Sequence, residues 1–353
     1  MRPAAGKREA SPVKIDIHSH IVDRAYMQAL ESQCGLVADR STPGRVFMRK
    51  GSHTFAWSRE DMFDIDHRLR EMDRKNIDMR VLSLSTPNVY VWPAAEQPAM
   101  ARLMNDATAR LCRAHPDRFA GLASLPLGDI GASLAELDRA LDELGMVGVM
   151  IGSNVDGVPL NDARFEPVWA RLDERRVPVF EHPMFPAHTG DMEEFELPLR
   201  LGFVFDTTLA AARMIYAGIF ARYPNFPYIM AHTGGTLLMV IERLDNGYRL
   251  FPDCRKHIDR LPSEFARKLY YDTTSFFPPA LRMALDFAGP ERLLWGTDDP
   301  FIGSDAAHVE ALGLGAADRA RVLGGNAAAL LGLAPAAARP AAPARGDARP
   351  AGA

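Results

Sequence analysis

Cysteine is scarce: Cys34, Cys112 and Cys254 are the only three in 353 residues. They stand far apart and in no C-x-x-C pair, which excludes a disulfide framework, a thiol redox motif and a cysteine-based zinc site. No apolar run approaches the ~20 residues that cross a bilayer, and the first residues contain no signal-peptide core. The expectation is a cytoplasmic protein with no membrane partner. An excess of one charge is also missing. Lys plus Arg number 41 and Asp plus Glu 45, a formal charge of −4 with pI near 6.2, so the composition advertises no nucleic-acid partner. There is no P-loop, no G-x-S-x-G elbow, and no G-x-G-x-x-G after the first strand-like run, which removes nucleotide cradles and the serine-hydrolase nucleophile. From Pro335 onward no apolar side chain larger than Ala or Pro occurs. Residues 335–353 and 1–12 are therefore expected to be disordered, leaving 13–334 as the folded domain.

What is present is a regular alternation. Eight short runs rich in Val, Ile and aromatics read as strands, at 14–18, 79–85, 119–125, 146–152, 177–182, 227–232, 269–273 and 292–297. Between them apolar residues recur at helical spacing. Leu134, Leu137, Leu141 and Leu144 form one stripe with Gly145 as its cap; Met100, Leu103, Met104, Ala107 and Leu111 form another, closed by Pro116. Strand followed by helix, eight times over, predicts an α/β protein and a (β/α)8 TIM barrel. The first two strands are separated by roughly sixty residues, too many for one crossover. An insertion is placed at about 21–59 and a helix at about 60–76, the insertion lying over the mouth where barrels keep their active sites.

Polar residues collect at the ends of these strands. His18 and His20 end the first, His182 the fifth, His232 the sixth and Asp298 the eighth. His18 and His20 are two apart, so on an extended chain both rings project from one face. Alone they could be two hydrogen-bonded histidines; joined by a third His and an Asp they suit a catalytic divalent metal, Zn2+ first and Mn2+ as a possibility. His18, His20, His182 and Asp298 are the candidate ligands. Asp298 is preferred to Asp299, which faces the other way on an extended chain. His232 is the candidate general base, with a fifth ligand or a structural histidine as alternatives, and with Asp298 it makes up the candidate catalytic pair. Gly234 and Gly235 would let backbone approach a ligand. Asp272 reads mainly as a cap for backbone amides. Strand four ends without a lysine, so no carbamate can bridge a second metal. His53, His67, His115, His188 and His257 are expected in solvent, with His188 near enough to His182 to line the mouth. Arg243 follows strand six on a helix whose buried stripe is Leu237, Leu238, Val240, Ile241 and Leu244. It faces outward, where a local ion pair with Glu242 or Asp245 is one reading.

Asp16-Ile17-His18-Ser19-His20, Glu181-His182-Pro183, Ala231-His232-Thr233-Gly234-Gly235 and Gly296-Thr297-Asp298-Asp299-Pro300-Phe301 resemble the amidohydrolase superfamily. Within it the chain is most similar to the 2-amino-3-carboxymuconate-6-semialdehyde decarboxylase-like group. The resemblance runs from about Lys14 to Leu333. It implies one divalent metal on His18, His20, His182 and Asp298, His232 as acid/base, a homodimer, and Arg243 reaching a carboxylate in the neighbouring subunit's site. An arginine of the insertion also grips a carboxylate in that group. Counting back without gaps from Glu71-Met72-Asp73 reaches Ala56, so Arg59, three residues on, is the candidate here. A second departure is Asp299, where the group commonly has an aromatic.

Three functions are weighed. The first is non-oxidative decarboxylation of an unsaturated or phenolic acid; with no pyridoxal or thiamine motif, the substrate itself must take up the electron pair of the broken C–C bond. The second is a metal-dependent hydrolase or hydratase acting on a ring-cleavage product or lactone. The third, a metal-binding scaffold without catalysis, is disfavoured because every expected ligand is present. The substrate in the first is a small-molecule carboxylic acid.

Overall fold

The computed structural model describes residues 12–334, and within them each of the eight strand-like runs is a barrel strand. The chain begins with β1 (Ile15–Ile21) and α1 (Arg24–Gln33), then β2 (Val37–Asp39), β3 (Val46–Lys50) and β4 (His53–Ser58) of the insertion. There follow α2 (Ile65–Arg74), β5 (Met79–Leu84), α3 (Gln97–Ala114), β6 (Phe119–Ser124), α4 (Ile130–Asp142) and β7 (Gly148–Gly152). A small ribbon of β8 (Asn154–Val155) and β9 (Val158–Pro159) leads to α5 (Glu166–Arg175) and β10 (Val179–His182). The last third holds α6 (Phe203–Tyr216), α7 (Ile219–Arg222), β11 (Tyr228–Met230), α8 (Leu237–Leu250), α9 (Pro262–Ala266), β12 (Tyr270–Asp272), α10 (Pro278–Ala288) and β13 (Leu293–Leu294).

The order β1-β5-β6-β7-β10-β11-β12-β13 is parallel throughout. The ends meet: Ile17 N donates to Trp295 O at 3.0 Å, Asp298 N to His18 O at 2.8 Å and His20 N to Asp299 O at 2.7 Å. Every residue of β1, β5, β6, β7 and β10 is buried; β6 and β7 are accordingly apolar or small on both faces, whereas β1 alternates, with Asp16, His18 and His20 on the face opposite Ile15, Ile17 and Ile21. Helices cover the outside and begin where the sequence supplies caps. Asp23, Asp64 and Asp129 each accept a hydrogen bond from a first-turn amide, of Tyr26, His67 and Ala132.

The helix expected at 60–76 is two pieces, a 3-10 turn at Glu60–Phe63 and α2. Asp64 separates them, because its extended backbone and its hydrogen bond to His67 N start a new helix. The expected disorder of 1–12 and 335–353 falls, apart from residue 12, outside the described residues. The insertion is more structured than its composition announced: β2, β3 and β4 form an antiparallel sheet. It rests over the mouth, where Phe55 stacks on Phe185 with centroids 4.1 Å apart and Trp57 meets Phe301 edge-on at 5.5 Å.

Candidate metal centre

The strand ends bring His18, His20, His182 and Asp298 together, one ligating atom from each lying within 4.8 Å of all the others, and all four residues are buried. His18 Nε2 is 3.2 Å from His20 Nε2, and Asp298 Oδ1 is 3.5 and 3.3 Å from the two. The outer nitrogens are already engaged. His18 Nδ1 donates to Asp272 Oδ2 at 2.6 Å, His182 Nδ1 to the Pro183 carbonyl at 3.0 Å, and His20 Nδ1 faces Ser83 Oγ at 3.1 Å. A carbonyl or carboxylate can only accept, so His18 and His182 carry their hydrogen on Nδ1 and turn a lone pair inward from Nε2.

The electrostatics agree. Burial pushes His182 well below the usual histidine range and lowers His20 too, so both stay neutral ligands. Burial would raise Asp298, but the imidazoles of His20, His232 and His18 around it hold it well below, as a carboxylate. Burial would lower His18; the bond to Asp272 and the charge of Asp298 outweigh it and raise it. That pull toward a second proton is one that a metal cation among the four donors satisfies. Converging lone pairs and one carboxylate fit a single divalent ion, and the four ligands are the one such cluster among the described residues.

Asp272 does two jobs. Its Oδ1 accepts from the amides of Thr233 and Thr274, as a cap should, while Oδ2 fixes the His18 ring. His232 lies outside the four-atom set: its Nε2 is 3.9 Å from Asp298 Oδ2, and its Nδ1 is buried without a hydrogen-bond partner. His232 and Asp298 both have φ of +52°, in the left-handed region that non-glycine residues rarely occupy, which is common at sites where surroundings hold a strained backbone. Gly235 has another role than approach to a ligand, since a Cβ there would collide with the Val204 carbonyl at the packing of α6.

His182, His232 and Asp298 floor a cavity of about 360 Å3. Phe47, Phe55 and Trp57 of the insertion face Phe203 and Phe301 across it, and Arg45 and Arg200 also line it. Arg59 does not. It turns away to Asp61 at 3.0 Å and to the Pro300 carbonyl at 3.4 Å, in a neighbouring pocket, so the candidate carboxylate grip from the insertion is corrected: Arg45 is the insertion arginine at the cavity. His188 is exposed and lines neither pocket. Arg243 is exposed on α8 and makes no hydrogen bond or ion pair among the described residues. Glu242 pairs instead with Arg249 at 2.7 Å, and Asp245 accepts from Ser263 N, so the local ion pair is not formed. Sequence reading passed over Arg45, Arg200 and His308, the last buried with Nε2 2.9 Å from Thr273 Oγ1, next to Asp272.

The chain belongs to the amidohydrolase family, whose model matches residues 15–333. It is 30% identical over 341 residues to the 2-amino-3-carboxymuconate-6-semialdehyde decarboxylase of Dictyostelium discoideum, covering 92% of each chain. The crystal structure of 5-carboxyvanillate decarboxylase from Sphingomonas paucimobilis superposes with a TM-score of 0.81 at 25% identity, over 92% of this chain and all of that one. A dihydroxybenzoic acid decarboxylase from Polaromonas sp. JS666, with bound manganese and the inhibitor 2-nitroresorcinol, matches with a TM-score of 0.76 at 27% identity, over 91% of this chain and 97% of that one.

Proposed function

We propose that this protein is a metal-dependent, non-oxidative decarboxylase of a phenolic or unsaturated carboxylic acid. The observation that carries the reading is the pairing of one His3Asp donor set with an aromatic-lined cavity that His232 also lines. Relatives that act on such acids support it.

His18, His20, His182 and Asp298 would hold one divalent ion. Zinc suits the imidazole-rich set, and the structure of the Polaromonas relative has manganese bound. When bound, the ion supplies Lewis acidity toward a substrate oxygen. The aromatic walls of Phe55, Trp57 and Phe301 orient a planar ring and exclude water around it. His232 delivers the proton that replaces the carboxyl group on carbon; the C–C bond breaks, its electron pair stays on that carbon, and CO2 leaves. The imidazole then recovers a proton from solvent. In this reading the protein works as a cytoplasmic homodimer, with Cys34, Cys112 and Cys254 as free thiols. Leu201, Phe205 and Leu209, spaced by four and 39–46% exposed, with Met239, 72% exposed, on the neighbouring α8, would supply the apolar face a second copy covers. Arg243 stands unpaired on that side and would enter the partner's cavity to bind substrate carboxylate, a task its planar fork suits.

A panel of phenolic and muconate-type acids, incubated with metal-loaded protein and followed by product mass, tests the proposal. A product lighter by CO2 is expected. A product gaining water, with every carbon retained, would assign the protein to hydrolysis or hydration.

A further inference from the structure

Beside the metal centre lies a buried ionic cluster that the reaction does not use. Asp299, next to the ligand Asp298, is turned away from the cavity onto two guanidinium groups. Arg68, on α2, reaches Asp299 Oδ2 through Nε at 3.1 Å and Nη2 at 2.7 Å, and Arg80, on β5, reaches the same oxygen through Nη1 at 2.7 Å. The grip does not end there. Arg68 Nη2 also donates to the His20 carbonyl at 2.6 Å and to Ser19 Oγ at 2.9 Å, while His20 N donates to the Asp299 carbonyl at 2.7 Å. Arg80 Nε lies 3.3 Å from Asp16 Oδ2, and the Asp16 carboxylate accepts from His18 N, Thr297 N and Thr297 Oγ1.

The circuit therefore joins β1, which carries two ligands, to the segment after β13, which carries a third. His182, on β10, stands outside it. Asp298 needs such a hold: its φ of +52° is one that a non-glycine residue keeps only where neighbours fix the chain on both sides. On one side its own amide bonds to His18 O; on the other stands Asp299, held by carboxylate and carbonyl alike.

We infer that Asp299, clamped by Arg68 and Arg80, is a positioning residue that keeps Asp298 and His20 in ligating register and so sets how tightly the metal is held. The inference rests on the metal-centre reading above.

The test is Mn2+ affinity of the full chain by chelator competition, together with the electron paramagnetic resonance spectrum of bound Mn2+ and the melting temperature of the metal-free protein. Asp299→Asn keeps the shape and removes the charge. The double variant Arg80→Leu with Asp299→Leu replaces part of the ionic cluster by apolar packing. In both, affinity is expected to fall roughly 10- to 100-fold, the usual effect of removing a partner behind a metal ligand, with a changed Mn2+ spectrum. The double variant is expected to show that loss even where its metal-free melting temperature matches the parent's. A folded variant that binds Mn2+ within about twofold of the parent and gives the parent's spectrum overturns the inference. Failure of both variants to fold also overturns it, making Asp299 a structural residue. A parent chain that takes up no metal defeats the metal-centre reading itself, and is told apart by that control.

Discussion

The chemistry of the site rests on which nitrogen of each histidine carries a hydrogen. Asp272 and the Pro183 carbonyl settle this for His18 and His182, so the charge on Asp272 is a metal-binding determinant as much as a backbone cap. Asp272→Asn, which weakens the acceptor behind His18, is expected to lower metal affinity about 10- to 100-fold, measured by chelator competition. His232 predicts the opposite pattern. His232→Asn is expected to retain one equivalent of metal by elemental analysis while kcat falls by roughly 10²–10⁴, the contribution of a positioned acid/base; loss of the ion with the rate would make His232 a ligand. That His18, His20, His182, His232 and Asp298 come together was legible in the sequence because each lies in or just after a barrel strand, and a barrel sends the strands' C-terminal ends to one mouth. Arg59 was misread for a definable reason. A gap-free count cannot see how the insertion folds, and Arg59 lies just past β4, where the chain turns toward Asp61 and Pro300. Arg45 comes to the cavity through the pairing of β3 with β4, and Arg200 through the segment before α6, neither of which has a local signature.

The barrel strands carry the metal-centre residues, and the insertion sheet covers the mouth above them. The barrel strands were readable because each is a short buried run rich in Val, Ile, Leu or aromatics, whereas the insertion sheet, half exposed and mixed in pattern, gave no comparable signal. The single helix expected at 60–76 shows the same limit: it was placed from the length of the connection alone, and the amide of His67 bonding to the Asp64 carboxylate marks the break. As the cavity wall, the insertion is expected to govern substrate affinity more than metal binding. Trp57 meets Phe301 edge-on, and aromatic contacts of this kind contribute ~0.5–1.5 kcal/mol. Trp57→Ala is therefore expected to raise KM by roughly 2- to 10-fold at unchanged metal content. Steady-state kinetics beside elemental analysis check it, and parallel loss of the metal would show that the insertion supports the centre itself.

At the scale of the whole molecule the expected unit is a pair of chains. Mixing Arg243→Ala subunits with His182→Ala subunits should restore activity to two inactive preparations, since a mixed dimer regains one site with an intact metal centre and an intact arginine from the neighbour. Subunits that exchange, as followed by native mass spectrometry, yet recover no activity would leave Arg243 outside the site. Phe205→Glu, on the apolar face, should shift the dimer to monomer in sedimentation velocity. The central claim is metal-dependent loss of CO2 at the His18–His20–His182–Asp298 centre. Its most direct test is headspace mass spectrometry on substrate acids labelled with 13C in the carboxyl group, using metal-loaded, metal-stripped and His182→Ala protein. The loaded protein alone should release 13CO2 in one-to-one ratio with product; product that keeps the labelled carbon, or equal release from stripped protein, would rule out decarboxylation at this centre.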